Sequence, residues 1–169
     1  MAISQSTLRS KAAQYTKSIR TAQEARAAGK KTIFLCHSHK DEELVKGLVK
    51  LLAESGWDVY VDWLDETLPD KPSSKTADSL KQKIIDASAM MFLATQNSMA
   101  SRWCPWEIGY GDAKNTPSKV FIVPTSDSYT THGSEYLELY PHIDISTQGN
   151  LCLFQPGATS GVRISSVQL

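Results

Sequence analysis

Thr32-Ile-Phe-Leu-Cys36 runs into His37-Ser-His-Lys-Asp-Glu-Glu43, and Leu44, Val45, Leu48, Val49, Leu51 and Leu52 follow at helical spacing. The first run is short, apolar and suited to β structure, so it reads as a strand buried on both faces. The second is a polar loop. The third puts one apolar stripe on a helix, and Ser55-Gly56 ends it, because glycine accepts the left-handed conformation of a helix stop. Strand, loop and helix in one stretch predict the first half of a β–α–β unit.

The pattern repeats along the chain. Asp58-Val-Tyr-Val-Asp62 predicts a second strand, and a helix beginning around residues 76–78 turns Leu80, Ile84 and Ile85 inward. Ala89-Met-Met-Phe-Leu-Ala94 is a third strand, Lys119-Val-Phe-Ile-Val123 a fourth, and Ile143-Asp-Ile145 a fifth at the sheet edge, after a helical turn over residues 136–140. Alternation of this kind specifies an α/β fold: a doubly wound, five-stranded parallel sheet with helices on both faces. The chain divides into residues 1–31, residues 32–146 and a Ser/Thr/Gly-rich extension over residues 147–169, whose apolar patch Leu151-Cys-Leu-Phe154 suggests an added strand or hairpin. Residues 4–28 read as one amphipathic helix, with Leu8, Ala12, Tyr15, Ile19 and Ala22 at spacings of four and three and Gly29 as its stop.

Composition narrows the function classes. With 18 basic and 18 acidic residues, the net charge of zero gives no reason to expect nucleic acid as a partner. The charge is uneven: residues 1–31 hold seven Lys/Arg against Glu24 alone, leaving eleven basic and seventeen acidic residues beyond them. Cys36, Cys104 and Cys152 are an odd number at wide spacing, which argues against a disulfide framework and for a reducing compartment. No apolar run reaches membrane-span length, and the first thirty residues lack the apolar core of a secretory signal, so a cytoplasmic protein without a membrane partner is expected.

In open parallel sheets, ligands sit beyond the carboxyl ends of the strands. That rule selects residues 37–41, 63–75, 95–107 and 125–128. Within them Ser101-Arg-Trp-Cys-Pro-Trp-Glu-Ile-Gly-Tyr-Gly111 combines aromatics with one carboxylate, Glu107, near a helix start that Pro105 favours. Its plain reading is core packing by Trp103, Trp106 and Tyr110 with a helix-start acid. Other chemistry is poorly supported. The third strand continues into Thr95-Gln96 with no acid to accept a phosphoryl group, and neither a nucleophile elbow nor a glycine-rich phosphate loop occurs. Cys36, His37, His39 and Asp41 cluster in sequence, but no second ligand pair follows, so no metal ligand set is expected. A lone carboxylate suits one reaction: cleavage at a sugar carbon whose leaving group is already cationic. Nicotinamide departs from NAD+ neutral and needs no proton, so the enzyme has only to stabilise an oxocarbenium-like cation.

Three blocks together resemble a TIR (Toll/interleukin-1 receptor) domain of the prokaryotic kind over about residues 32–146: Ile33-Phe-Leu-Cys-His-Ser-His-Lys-Asp41, the loop after Asp62, and Arg102-Trp-Cys-Pro-Trp-Glu107. Cys36, His37 and Pro105 depart from the family's usual residues. The resemblance implies a flavodoxin-like sheet with Glu107 as catalytic residue. It further implies that NAD+ is a substrate bordered by His37, Ser38, Asp41, Trp63, Leu64 and Trp103, with no cofactor. It makes residues 63–75 a lid and self-association loop. A small TIR protein of this kind resembles the sensor of Thoeris-type anti-phage systems, whose product, an ADP-ribose-derived signal, would act on a separate effector. The alternatives are a catalytically silent TIR adaptor working by homotypic assembly and a related nucleoside-processing enzyme.

Overall fold

The computed structural model describes residues 2–16, 21–57, 59–62, 73–114 and 119–169. The chain enters as β1 (Ile3–Ser4) and passes without a loop into α1 (Gln5–Ala12). Ser4 serves both elements, its hydroxyl accepting the Thr7 N–H at 3.0 Å as the helix cap. A second helix, α2 (Ala22–Ala27), is capped by Thr21. The single helix expected over residues 4–28 is therefore a strand and two short helices among the described residues. Burial explains where α1 stops: Leu8 is fully enclosed, while residues 13, 14 and 16 are exposed and would add no core by continuing the helix.

The repeating β–α core follows. β2 (Lys31–Cys36) leads through a 3-10 turn, His39–Asp41, into α3 (Glu42–Glu54) and β3 (Val59–Asp62). Next come α4 (Ser74–Asp86), β4 (Ala89–Ala94), the single turn α5 (Gln96–Met99), α6 (Cys104–Lys114) and β5 (Val120–Ser126). β6 (Thr131–His132) folds back on the end of β5, and β7 (His142–Ile145), β8 (Leu151–Phe154) and β9 (Val162–Arg163) complete the sheet. α4 starts slightly ahead of its expected position because the Ser73 hydroxyl caps it. Ile85 is 51% exposed rather than inward, since the buried stripe of α4 is Leu80 and Ile84.

The strand order is β3-β2-β4-β5-β7-β8-β9, and the first five pair in parallel. This is the doubly wound order expected. β7 is not an edge, however. β8 pairs with it antiparallel, Ile143 opposite Leu153, because all four residues of β8 are apolar and buried and cover the open edge. β1 lies off this path and pairs in parallel with the tip of β5 (Ile3 with Thr125).

Alternation of side chains splits the core in two. Ile33, Leu35, Met91, Leu93 and Phe121 face α1 and α3, meeting Leu8, Leu44, Val45 and Leu48. Phe34, Cys36, Met90, Phe92 and Ile122 face α4 and α6, meeting Leu80, Ile84, Cys104 and Ile108. Gly47 lets α1 lie against α3, since a Cβ there would sit 1.9 Å from the Leu8 carbonyl oxygen.

Candidate active site

The helix that carries Glu107 is built from its own sequence. The Ser101 hydroxyl accepts the N–H groups of Trp103 (3.1 Å) and Cys104 (3.4 Å), satisfying donors at the start of α6. Pro105 is the second helical residue, where an N–H would have no intrahelical partner, so it fits without loss. Glu107 donates its backbone N–H to Trp103 O at 2.8 Å. Its side chain lies on the inner face of α6 with Cys104, Ile108 and Gly111, and the residue is only 3% exposed. On the outer face the aromatics form a ladder: Trp103 meets Trp106 edge-on at 5.8 Å, Trp106 stacks on Tyr110 at 5.7 Å, and Lys114 Nζ lies 5.9 Å from the Tyr110 centroid. Trp103 is half-buried and packs against the α4/α6 core.

Cys36, the last residue of β2, points to the same side. The Sγ atoms of Cys36 and Cys104 and a Glu107 carboxylate oxygen all lie within 4.8 Å of one another. The Cys36 thiol donates to the Cys104 carbonyl at 3.8 Å. Burial, then hydrogen bonding with Cys104, then the charge of Glu107 push that thiol well above its ordinary pKa, so it stays protonated beside the carboxylate. The site places a buried carboxylate beside two cysteine side chains in the first turn of α6, where the positive end of the helix favours a negative side chain. The carboxylate is the group there that would attract a developing cation.

The residues after β2 are placed differently. His37 Nδ1 lies 3.0 Å from Leu35 O, which fixes it as the donor, and burial lowers the pKa of the ring, keeping it neutral. Ser38 is buried and caps the 3-10 turn, accepting the Lys40 N–H at 3.4 Å. Asp41 is 4% exposed and accepts from Thr95 Oγ1 at 2.5 Å and from Asn97 Nδ2 at 2.6 Å. Thr95 and Ser98 cap α5 reciprocally, and Ser98 Oγ donates to Leu93 O at 2.7 Å, so the acid is tied to the end of β4. Beside this knot a polar cavity of about 220 Å³ is lined by Gln5, Arg9, Lys40, Asp41, Gln96 and Asp127, among others.

The sequence-derived site thus falls into two groups. Glu107 joins Cys36 and Cys104, with His37 and Ser38 continuing from the same strand end; Asp41 belongs to the Thr95–Asn97 knot. Trp63 and Leu64 lie outside the described residues, as do all residues of the 63–75 segment except the last three. Sequence reading passed over Ser101, Thr95, Asn97 and the pairing of Cys104 with Cys36. A Thr-x-x-Ser pattern directly after an apolar strand signals the α5 cap, but nothing local links two cysteines 68 positions apart.

These features define a class. The TIR domain pattern matches residues 33–150, and the chain belongs to that family. Among curated relatives it is 38% identical over 118 residues to "Probable 3' cyclic ADP-D-ribose synthase ThsB'" of Bacillus cereus (strain MSX-D12), covering 66% of this chain and 59% of that protein. It is 26% identical over 98 residues to "Putative cyclic ADP-D-ribose synthase TIR2" of Cytobacillus dafuensis, covering 56% of this chain and 25% of that protein. The chain thus spans less than two thirds of the length of either relative. Among the described residues, no helix is long and apolar enough to cross a membrane.

Proposed function

We propose that this chain is an NAD+-cleaving TIR enzyme that releases nicotinamide and closes the remaining ADP-ribose into a cyclic signal in anti-phage defence. The observation that carries the reading is the placement of Glu107: a buried carboxylate in the first turn of α6, beside the carboxyl end of the first core strand. The printed names of the two relatives, both cyclic ADP-D-ribose synthases, support the product class.

The chemistry asks little of the protein. Nicotinamide leaves as a neutral base, taking the electron pair of the bond to its ring nitrogen, so the positive charge passes from that nitrogen to the ribose carbon. Glu107 stabilises that cation electrostatically, an effect worth several kcal/mol where a preorganised group faces developing charge in a dry site. An internal hydroxyl of ADP-ribose then attacks the same carbon, and its proton passes to the Glu107 carboxylate. Cys36 and Cys104 border the carboxylate with buried side chains and so help to keep water from competing. A separate effector receives the product, and residues 63–75 supply the lid and a self-association surface.

The test is incubation of the full chain with NAD+, with nicotinamide release followed by chromatography and the second product by mass spectrometry. A product lighter than ADP-ribose by one water is the expected result. No nicotinamide release, from dilute or concentrated protein, would overturn the reading and favour the adaptor.

A further inference from the structure

We infer that Cys36, Cys104 and Glu107 form a site for one thiophilic divalent cation of the zinc type, and that its occupancy disables the carboxylate on which NAD+ cleavage depends. The second half rests on the proposed function; the first does not.

Geometry carries the inference. The three donor atoms come from two anchored elements, the end of β2 and the first turn of α6, and lie within 4.8 Å of one another. Cys104 and Glu107 are three residues apart on one helix, which puts both on the face toward Cys36. In tetrahedral zinc sites metal–sulfur and metal–oxygen bonds of about 2.3 and 2.0–2.2 Å hold the donors roughly 3.5–3.8 Å apart, so closure needs a contraction of about 1 Å. Closure by that amount calls for rotation about the Glu107 side chain and the two Cys χ1 bonds.

Donor type selects the ion. Two sulfurs and one oxygen suit zinc or cobalt and are poor for magnesium or calcium, which take oxygen. Binding releases both thiol protons to solvent; two thiolates and a carboxylate then hold the dication, leaving a site of net charge −1. Three protein ligands leave a fourth position for water, an arrangement open to exchange rather than a closed structural site. With its oxygen on the metal, the Glu107 carboxylate is neutralised by the dication and no longer attracts the cationic ribose carbon. Cys152, on β8 and four strands from β2, is a built-in control.

The full chain is titrated with Co2+ under a non-thiol reductant. The expected result is one equivalent bound, with near-ultraviolet thiolate-to-cobalt charge transfer and intense visible bands of a tetrahedral centre, bleached by Zn2+. Cys36→Ala and Cys104→Ala should each weaken cobalt binding about 100-fold or more, since losing a direct ligand costs at least as much as losing a partner that only orients one, while Cys152→Ser leaves it unchanged. Should a cysteine variant fail to fold, X-ray absorption of the zinc-loaded wild type decides, two sulfur scatterers being expected. Absent charge-transfer bands, a sulfur-free shell, or bands lost only in Cys152→Ser would overturn the site.

One equivalent of Zn2+ should slow nicotinamide release more than tenfold, with recovery on adding a chelator; unchanged turnover at full occupancy overturns the inhibitory half. Thiolate bands in a chain that never cleaves NAD+ support the cation site and sink the functional reading. Cleavage by a metal-free chain that gives no such bands does the reverse.

Discussion

Asp41 and Glu107 are both carboxylates, both almost fully buried, and both stand on the carboxyl rim of the same parallel sheet. Their surroundings divide them. Asp41 is gripped by the hydroxyl of Thr95 and the amide of Asn97, so each of its oxygens accepts a short hydrogen bond from a strong donor. Glu107 has the sulfur atoms of Cys36 and Cys104 within 4.8 Å of a carboxylate oxygen. Burial alone therefore does not mark a reactive acid. The carboxylate of Asp41 ties the start of α3 to the end of β4, whereas the role proposed for Glu107 is to face an incoming cation.

The comparison breaks most readily on the structural acid. Asp41→Ala strands the Thr95 hydroxyl and the Asn97 amide, and hydrogen bonds to a charged group contribute roughly 1.5–3 kcal/mol each. A loss of about 3 kcal/mol or more is expected, or roughly 6–12 °C in melting temperature for a chain of this size, read by thermal denaturation. An unchanged melting temperature with a raised KM for NAD+ would move Asp41 to the substrate.

Gly47→Ala tests the same side of the sheet, because the added methyl would collide with the Leu8 carbonyl and lift α1 from α3. Overpacking of this kind costs about 1–3 kcal/mol. Calorimetry should show the loss, and hydrogen exchange should show faster exchange at the amides of α1.

Trp103→Leu probes the ladder outside Glu107. Losing the edge-on contact with Trp106 removes roughly 0.5–1.5 kcal/mol beyond lost area. Packing predicts lower stability with KM intact; a direct ligand role predicts the opposite pattern.

The smallest effect concerns Asp127, at the edge of the polar cavity. His132 Nε2 at 2.8 Å, then the backbone N–H groups of Tyr129 and Thr130, lower its carboxyl from the ordinary 3.8 to about 2. An acid depressed in the folded state stabilises above its unfolded value, and that contribution fades as pH falls toward the folded one. The melting temperature of wild type should therefore exceed that of Asp127→Asn at pH 5, with the gap closing between about 4 and 2. A constant gap would show that the pair does not titrate in this way.

The parallel sheet was legible because apolar strands alternating with amphipathic helices permit few other arrangements, and its order β3-β2-β4-β5-β7 is the flavodoxin-like one that the family resemblance implied. The position of Glu107, in the first turn of a helix after the third core strand, was also legible. The N-terminal elements were not. The spacing of Leu8, Ala12 and Tyr15 satisfies a helix, but only tertiary contact shows that Ile3 joins β5 as a strand and that core contact ends soon after Leu8. The edge position given to Ile143 failed for a similar reason: the partner strand comes from the Ser/Thr/Gly-rich extension, whose four apolar residues look minor in sequence. The pairing of Cys36 with Cys104 depends on which way a strand end and a helix face one another, a property of the assembled sheet.

The central claim, that Glu107 acts chemically while Asp41 acts structurally, meets its most direct test in Glu107→Gln. The substitution preserves volume and removes the charge. Nicotinamide release from NAD+ should fall at least about 10²–10³-fold in kcat, the range seen when one preorganised electrostatic group is removed, with the melting temperature within a few degrees of wild type. A folded Glu107→Gln chain that releases nicotinamide at the wild-type rate would contradict the account.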